Sequence, residues 1–243
     1  SRVGCGGGGH LPCHEANDGD AVRRAGFAGA TPIADKGPLK MYRRLFLLGL
    51  TTVLAASAAS PKLTFIRDFP GSSPAYIYVE VNPDGKGVYK EAPDDDYPIK
   101  FTLDPADQTA MLALAEKIDR CKRPLESGLK VANMGMKTLR WEEGAVKNET
   151  KFNYTQDLDG QALHDLFEKV AESAALYLRL ERTVKYDKLG VNDSLLKLHA
   201  ADDRKRIVGA GMYLPLLDRI IKNDSYMHMA RERAATLADL FRA

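Results

Sequence analysis

YIYVEVNPDGKGVYKEA, residues 76–92, reads as a strand, a turn and a second strand. Ile77, Val79 and Val81 alternate with Tyr76, Tyr78 and Glu80, the two-residue period of a half-buried strand. Asn82-Pro83-Asp84-Gly85-Lys86 reverses the chain, because proline presets φ and glycine accepts a positive φ. Val88–Ala92 returns as the partner strand, so the hairpin begins an antiparallel sheet. Upstream, Leu63–Phe69 is a short apolar and β-branched run closed by Pro70-Gly71-Ser72-Ser73-Pro74. Downstream, Asp94-Asp95-Asp96 falls in a loop before a further strand at Ile99–Leu103.

Asp104-Pro105 marks a helix start as N-cap and first helical residue. Met111, Leu114, Ile118 and Cys121 then share one face of that helix. Arg123–Gly135 reads as a structured loop. A second hairpin, Met136–Glu142 with Lys147–Thr155, turns at Glu143-Gly144; Leu139 and Trp141 share a face on one strand, Phe152 and Tyr154 on the other. Asp159 is the expected cap of a long helix over about Gly160–Tyr186, with an apolar stripe from Leu163 and Phe167 through Leu180 to Val184. Shorter helices follow near Asp193–Ala200, Pro215–Lys222 and Ser225–Arg242, the last with Met227, Ala230, Ala234, Leu237, Leu240 and Phe241 on its apolar face. Strand and helix blocks kept apart in this way predict an α+β fold. Its antiparallel sheet is built from two hairpin blocks with a helix after each, and a C-terminal helical tail follows.

Ahead of this domain, Met41–Ala59 is MYRRLFLLGLTTVLAASAA. Two arginines, an apolar run from Leu45 to Ala56 and an Ala-Ser-Ala site form a secretory signal, with cleavage expected near Ala58. The run is shorter than the roughly 20 residues a membrane span requires. Tyr42–Leu47 resembles the twin-arginine export motif in its core, but the polar residue before the arginines and the lysine after are missing, so Sec export is expected. The expected organisation is an upstream extension at 1–40 with no folded role and a signal at 41–58. An α+β domain at 59–187 and a helical tail at 188–243, packed on the long helix, complete it.

The chain carries 35 Lys+Arg and 33 Asp+Glu; seven of the basic and four of the acidic residues precede Ala59, leaving 28 against 29. That balance offers no electrostatic footprint for nucleic acid or an anionic membrane. Cys121 is the one cysteine after Ala58, so no internal disulfide is expected in the exported domain.

Motifs for chemistry are weak. Asp94-Asp95-Asp96 lacks the alternating ligands, central glycine and closing Glu of an EF-hand loop, and reads as a solvated acidic loop. His164 with Glu168, and His228 with Glu232, are spaced to share a helix face, but neither has the partners of a helix-borne metal site. Cys5, His10, Cys13 and His14 form a single cluster without a second pair of ligands. Cys121 on an apolar stripe reads as a buried structural thiol. No G-x-S-x-G, S-x-x-K, Walker or dinucleotide pattern occurs, and Gly209-Ala210-Gly211 is a lone G-x-G. Asn148, Asn153, Asn192 and Asn223 begin Asn-x-Ser/Thr sequons; Asn192 and Asn223 are also placed to cap helices. No catalytic residue, metal ligand or cofactor is predicted.

FIRDFPGSSPAY, VYKEAPDDD, RPLESGLKVANMGMKTLRW, FNYTQDLDGQAL and LPLLDRIIKNDSYMHMARERAA resemble segments of a group of uncharacterised secreted bacterial proteins. The resemblance implies export and carries no activity. The hairpin–helix–hairpin–helix order is also similar, in topology alone, to emfourin-type protease inhibitors. The leading expectation is an exported, non-enzymatic binding, inhibitory or envelope-associated factor, whose partner is another exported or envelope protein. Its expected surface is Tyr76, Tyr78 and Tyr89 on the exposed sheet face, with Asp94, Asp95 and Asp96 beside them. The alternative is a hydrolase-like enzyme using carboxylates brought together by folding.

Overall fold

The computed structural model describes residues 60–243, so the expected signal and the expected upstream extension lie outside the described residues. Strands β1 (Lys62–Asp68), β2 (Tyr76–Val81), β3 (Lys86–Lys90) and β4 (Ile99–Thr102) precede helix α1 (Pro105–Lys117). Strands β5 (Met136–Glu143) and β6 (Val146–Phe152) precede α2 (Leu158–Tyr186), α3 (Val191–Asp203), a 3-10 turn (Ala210–Tyr213), α4 (Leu214–Ile221) and α5 (His228–Arg242). The fold is α+β, as expected. The strands form one sheet in the order β4-β3-β2-β1-β5-β6, with antiparallel neighbours throughout.

The apolar run at residues 63–69 proves to be the seam between the two hairpin blocks. β1 pairs with β2 on one side and β5 on the other. Leu63 faces Val81 and Trp141, and Phe65 faces Val79 and Leu139; all six are buried. In the β2–β3 turn Gly85 takes the expected positive φ, 77°. The turn aligns Val81 with Gly87 and Val79 with Tyr89. A Cβ on Gly87 would come within 2.2 Å of the Phe101 ring, so only glycine lets that ring lie against β3.

α1 begins at Pro105 as expected, although the Asp104 carboxylate makes no capping bond. The helix ends before Cys121. Asp119, Arg120 and Cys121 adopt φ of 56°, 55° and 59°, and this left-handed turn, not a fourth helical position, drops Cys121 into the core. Burial pushes its thiol up to about 12. α2 is capped by Asp157, not Asp159: Asp157 Oδ1 accepts from Gly160 N at 2.8 Å. The two sequons do not cap either. Asn192 lies inside α3, where its Oδ1 accepts from Arg233, and Asn223 Oδ1 accepts from Ser225 N at 3.0 Å, ahead of α5.

At 29 residues α2 is about 43 Å long, taking 1.5 Å per residue, too long for short strands to cover. Its first half packs on the sheet: Leu163, Phe167, Val170 and Ala174 share a core with β1, β2, β5 and α1, and the Phe167 ring stacks on Phe65 at 5.2 Å. Its second half belongs to another core, where Leu180 and Val184 meet Leu195, Leu217, Ile220 and Leu237. The changeover is at Ser173. Its Oγ accepts from Val208 N at 3.0 Å, and its carbonyl accepts from the Tyr213 hydroxyl at 2.5 Å. Tyr226 Oη donates to the Val184 carbonyl at 3.1 Å, tying the last turns of α2 to the segment before α5. α5 packs through Ala230, Ala234, Leu237 and Ala238, whereas Met227 and Leu240, expected on that face, stand exposed. Among the described residues no helix is long and apolar enough to cross a membrane.

Leu180→Asp puts an unpaired carboxylate in the second core and should cost about 3–5 kcal/mol. Hydrogen exchange should quicken across α3, α4 and α5 before the sheet; protection there equal to wild type would contradict the shared core.

Candidate functional site

The face of the sheet turned away from α1 and α2 carries the predicted tyrosines, but not all of them. Tyr76 lies opposite Asp68, which also pairs with Met136. Tyr78 sits in a row that runs Lys90–Tyr78–Ile66–Thr138–Lys151 across the sheet. Its hydroxyl donates to Glu80 Oε2 at 2.6 Å, and burial together with that carboxylate pushes the phenol up to about 12. The phenol donates to that carboxylate, and the shift moves its ionisation further from neutral pH. Lys62 Nζ bridges Glu80 and Glu142 at 3.4 and 2.9 Å, lacing the rows together. Tyr76, Tyr78, Glu80, Val88, Lys90 and Pro93 line a shallow hollow of about 430 Å³.

Tyr89 is not on this face. Its register partner is Val79, so it points into the core and is 1% exposed. Its hydroxyl donates to Glu91 Oε1 at 3.0 Å, and burial raises its pKa further than that of Tyr78. Asp94 and Asp96 are exposed and Asp95 half-buried; Asp95 Oδ1 accepts from Tyr97 N at 2.9 Å, which closes the loop on itself. Pro93 links that loop to the hollow, but the three carboxylates line none of its wall. Among the described residues no group of three or more His, Cys, Asp or Glu is placed to hold a metal. His228 and Glu232 form an exposed pair at 3.3 Å on α5.

A polar cluster lies under the inner face of β1; the sequence offered its His164–Glu168 pair but not Arg67 or Lys137. Arg67 Nη1 donates to both oxygens of Glu168, at 3.0 and 2.9 Å, across 101 residues of chain. His164 Nε2 lies 3.2 Å from Glu168 Oε1, and the imidazole packs edge-on against Phe65 and Phe152. Burial alone would raise the Glu168 carboxyl; His164 and Arg67 outweigh it and hold that pKa below its ordinary value. Lys137, the register partner of Arg67, is 5% exposed, and burial lowers its pKa. Its ammonium donates to the carbonyls of Gly135 at 3.1 Å, Asn153 at 2.9 Å and Met134 at 3.3 Å. Arg67 and Lys137 both stand at inward-facing strand positions, after Leu63 and Phe65 and before Leu139 and Trp141. A charge on an apolar parity was the available signal. The carboxylate is engaged by Arg67 Nη1 and the ammonium by carbonyls, whereas Arg67 Nε and His164 Nε2 are buried without a hydrogen-bond partner. The cluster joins strand, helix and loop more readily than it acts on a substrate.

Lys137 also helps to fix the segment between α1 and β5. Asn153 Nδ2 donates to the Ala132 carbonyl at 3.0 Å, and its Oδ1 accepts from Met134 N at 2.8 Å. Glu126 Oε2 in turn accepts from Asn153 N at 2.5 Å. This sequon asparagine is a structural brace. No family model and no curated protein matches the chain.

Because Glu168 titrates lower in the folded state than its ordinary 4.5, it stabilises the fold above that pH. The contribution is lost as pH falls through the folded value. Glu168→Gln should therefore flatten the acid side of the stability–pH curve, measured by urea unfolding between neutral pH and pH below 4.5. An unchanged acid limb would rule out this role.

Proposed function

We propose that the chain is an exported binding protein that acts on another exported or envelope protein through the outer face of its sheet. The observation carrying this reading is the pair Tyr76 and Tyr78. Both are half-buried on the face opposite the helices, beside a shallow hollow, and the Tyr78 hydroxyl is oriented by its bond to Glu80. Tyrosine side chains of this kind, apolar in body and polar at the tip, are enriched where proteins meet. The arrangement favours recognition over the carboxylate-hydrolase alternative. Glu168, the carboxylate beside His164, is held by Arg67 at 2.9 Å. Export is supported by the order of charge, apolar run and small residues in Met41–Ala59 and by the resemblance to secreted bacterial proteins.

A photo-crosslinking amino acid at Tyr78, in an exporting bacterial host, should give one discrete adduct that excess unlabelled protein abolishes. The same group at Tyr186, 74% exposed near the end of α2, should not. N-terminal sequencing of the adduct should read from near Ala59. No adduct at Tyr78, or equal adducts from both positions, would overturn the surface. A product retained in the cytoplasm and unprocessed would overturn export.

A further inference from the structure

The segment between α1 and β5 exposes apolar side chains that most loops would fold down. Leu129, Val131, Met134 and Met136 are 50%, 39%, 52% and 47% exposed. Their backbone cannot relax to cover them, because Lys137 holds the carbonyls of Met134 and Gly135 and the Asn153 amide holds Ala132 and Met134. Keeping a lysine 5% exposed costs free energy, and what it maintains is a rigid apolar tip. From Ser127 through Trp141 the sequence has no acidic residue, and Lys130 is the one charge before Lys137. The amides of Lys130, Ala132 and Asn133 find no acceptor among the described residues.

We propose that this loop is a membrane-docking wedge. Leu129, Val131 and Met134 enter the boundary between head groups and acyl chains, while the Lys130 ammonium and the three free amides face the phosphates of anionic lipids. The composition favours lipid over protein here. The tip has no tyrosine, tryptophan or arginine, the usual anchors of a protein interface, and its leucine, valine and lysine are under-used there; of its exposed residues only Met134 and Met136 are of an interface-enriched type. Aliphatic side chains beside lysine are what an interfacial element presents to a bilayer. Lys130 is the one charged side chain from Ser127 to Met136, with the Glu126 carboxylate turned onto the Asn153 amide beneath them. The wedge uses residues distinct from Tyr76 and Tyr78, so either surface can fail alone. Met136 pairs with Asp68 in the row that holds Tyr76, which would set a partner on the sheet beside the membrane.

The test uses the full chain with a solvatochromic fluorescent amino acid at Val131 or, as control, at Leu196, which is 50% exposed on α3. With phosphatidylethanolamine–phosphatidylglycerol vesicles the emission should shift to the blue, saturably, from position 131 alone. Lys130→Gln should weaken the apparent affinity roughly fivefold, as one basic residue at an anionic surface warrants. Met134→Asp should abolish the shift. Lys137→Met, which leaves every apolar tip residue in place, should weaken it by loosening the brace. Attachment through Leu45–Ala56 alone would leave position 131 unshifted and overturn the proposal. So would equal shifts at 131 and 196, or a Met134→Asp variant that binds as wild type.

Discussion

The pairing of β1 on both edges is the constraint on which the rest of the molecule depends. Side chains alternate along a strand, so a strand paired on two sides sets which residues of its neighbours face in and which face out. Leu63 and Phe65 point inward, and through their partners they carry Val79, Val81, Leu139 and Trp141 with them. Ile66 and Asp68 point outward and carry Tyr76, Tyr78, Thr138 and Met136. A slip of one residue would send the core of both hairpins to solvent. The Arg67–Glu168 pair reinforces that register, since the guanidinium reaches both carboxylate oxygens only if Arg67 faces α2.

α2 extends the same order into the second half of the chain. One face of a single helix serves two cores in succession, with Ser173 between them taking bonds from Val208 and Tyr213. Each fully buried leucine along it stabilises the fold by about 1.5–3 kcal/mol relative to an exposed one. Residues such as Leu163 and Leu180 are equally buried although their neighbours come from different halves of the chain. The tail is therefore held by the helix that the sheet holds. All the helices can then lie to one side of the sheet, leaving the outer row of Tyr78 and Ile66 without a helical cover.

Periodicity made much of this legible. The β2–β3 alternation, the helix start at Pro105, the burial of Cys121 and the long stripe of α2 are local patterns and lie where the residues put them. Tyr89 was misplaced because its face depends on the residue count across the Asn82–Lys86 turn, which the alternation on either side does not reveal. The path to Cys121 was misread because three left-handed residues imitate the spacing of a further helical turn. Asp157 and Asp159 are equally good caps by composition; the fold uses the one whose carboxylate reaches Gly160 N. Arg67 and Lys137 show locally only as charges on an apolar parity; their partners, and those of the Asn153 brace, lie far apart in sequence, and no local pattern pairs them. The signal expected at Met41–Ala59 rests on composition alone and lies beyond the described residues.

The central claim is that register divides the sheet into a face consumed by the core and a face left without helical cover. Hydroxyl-radical footprinting of the full chain tests it, with Tyr97, 90% exposed, as the internal reference. Tyr76 and Tyr78 should be oxidised more slowly than Tyr97, yet far faster than Tyr89 and Tyr213, which are buried in the two cores. Oxidation of Tyr89 at the rate of Tyr78 would place both on one face and contradict the register from which the account is built.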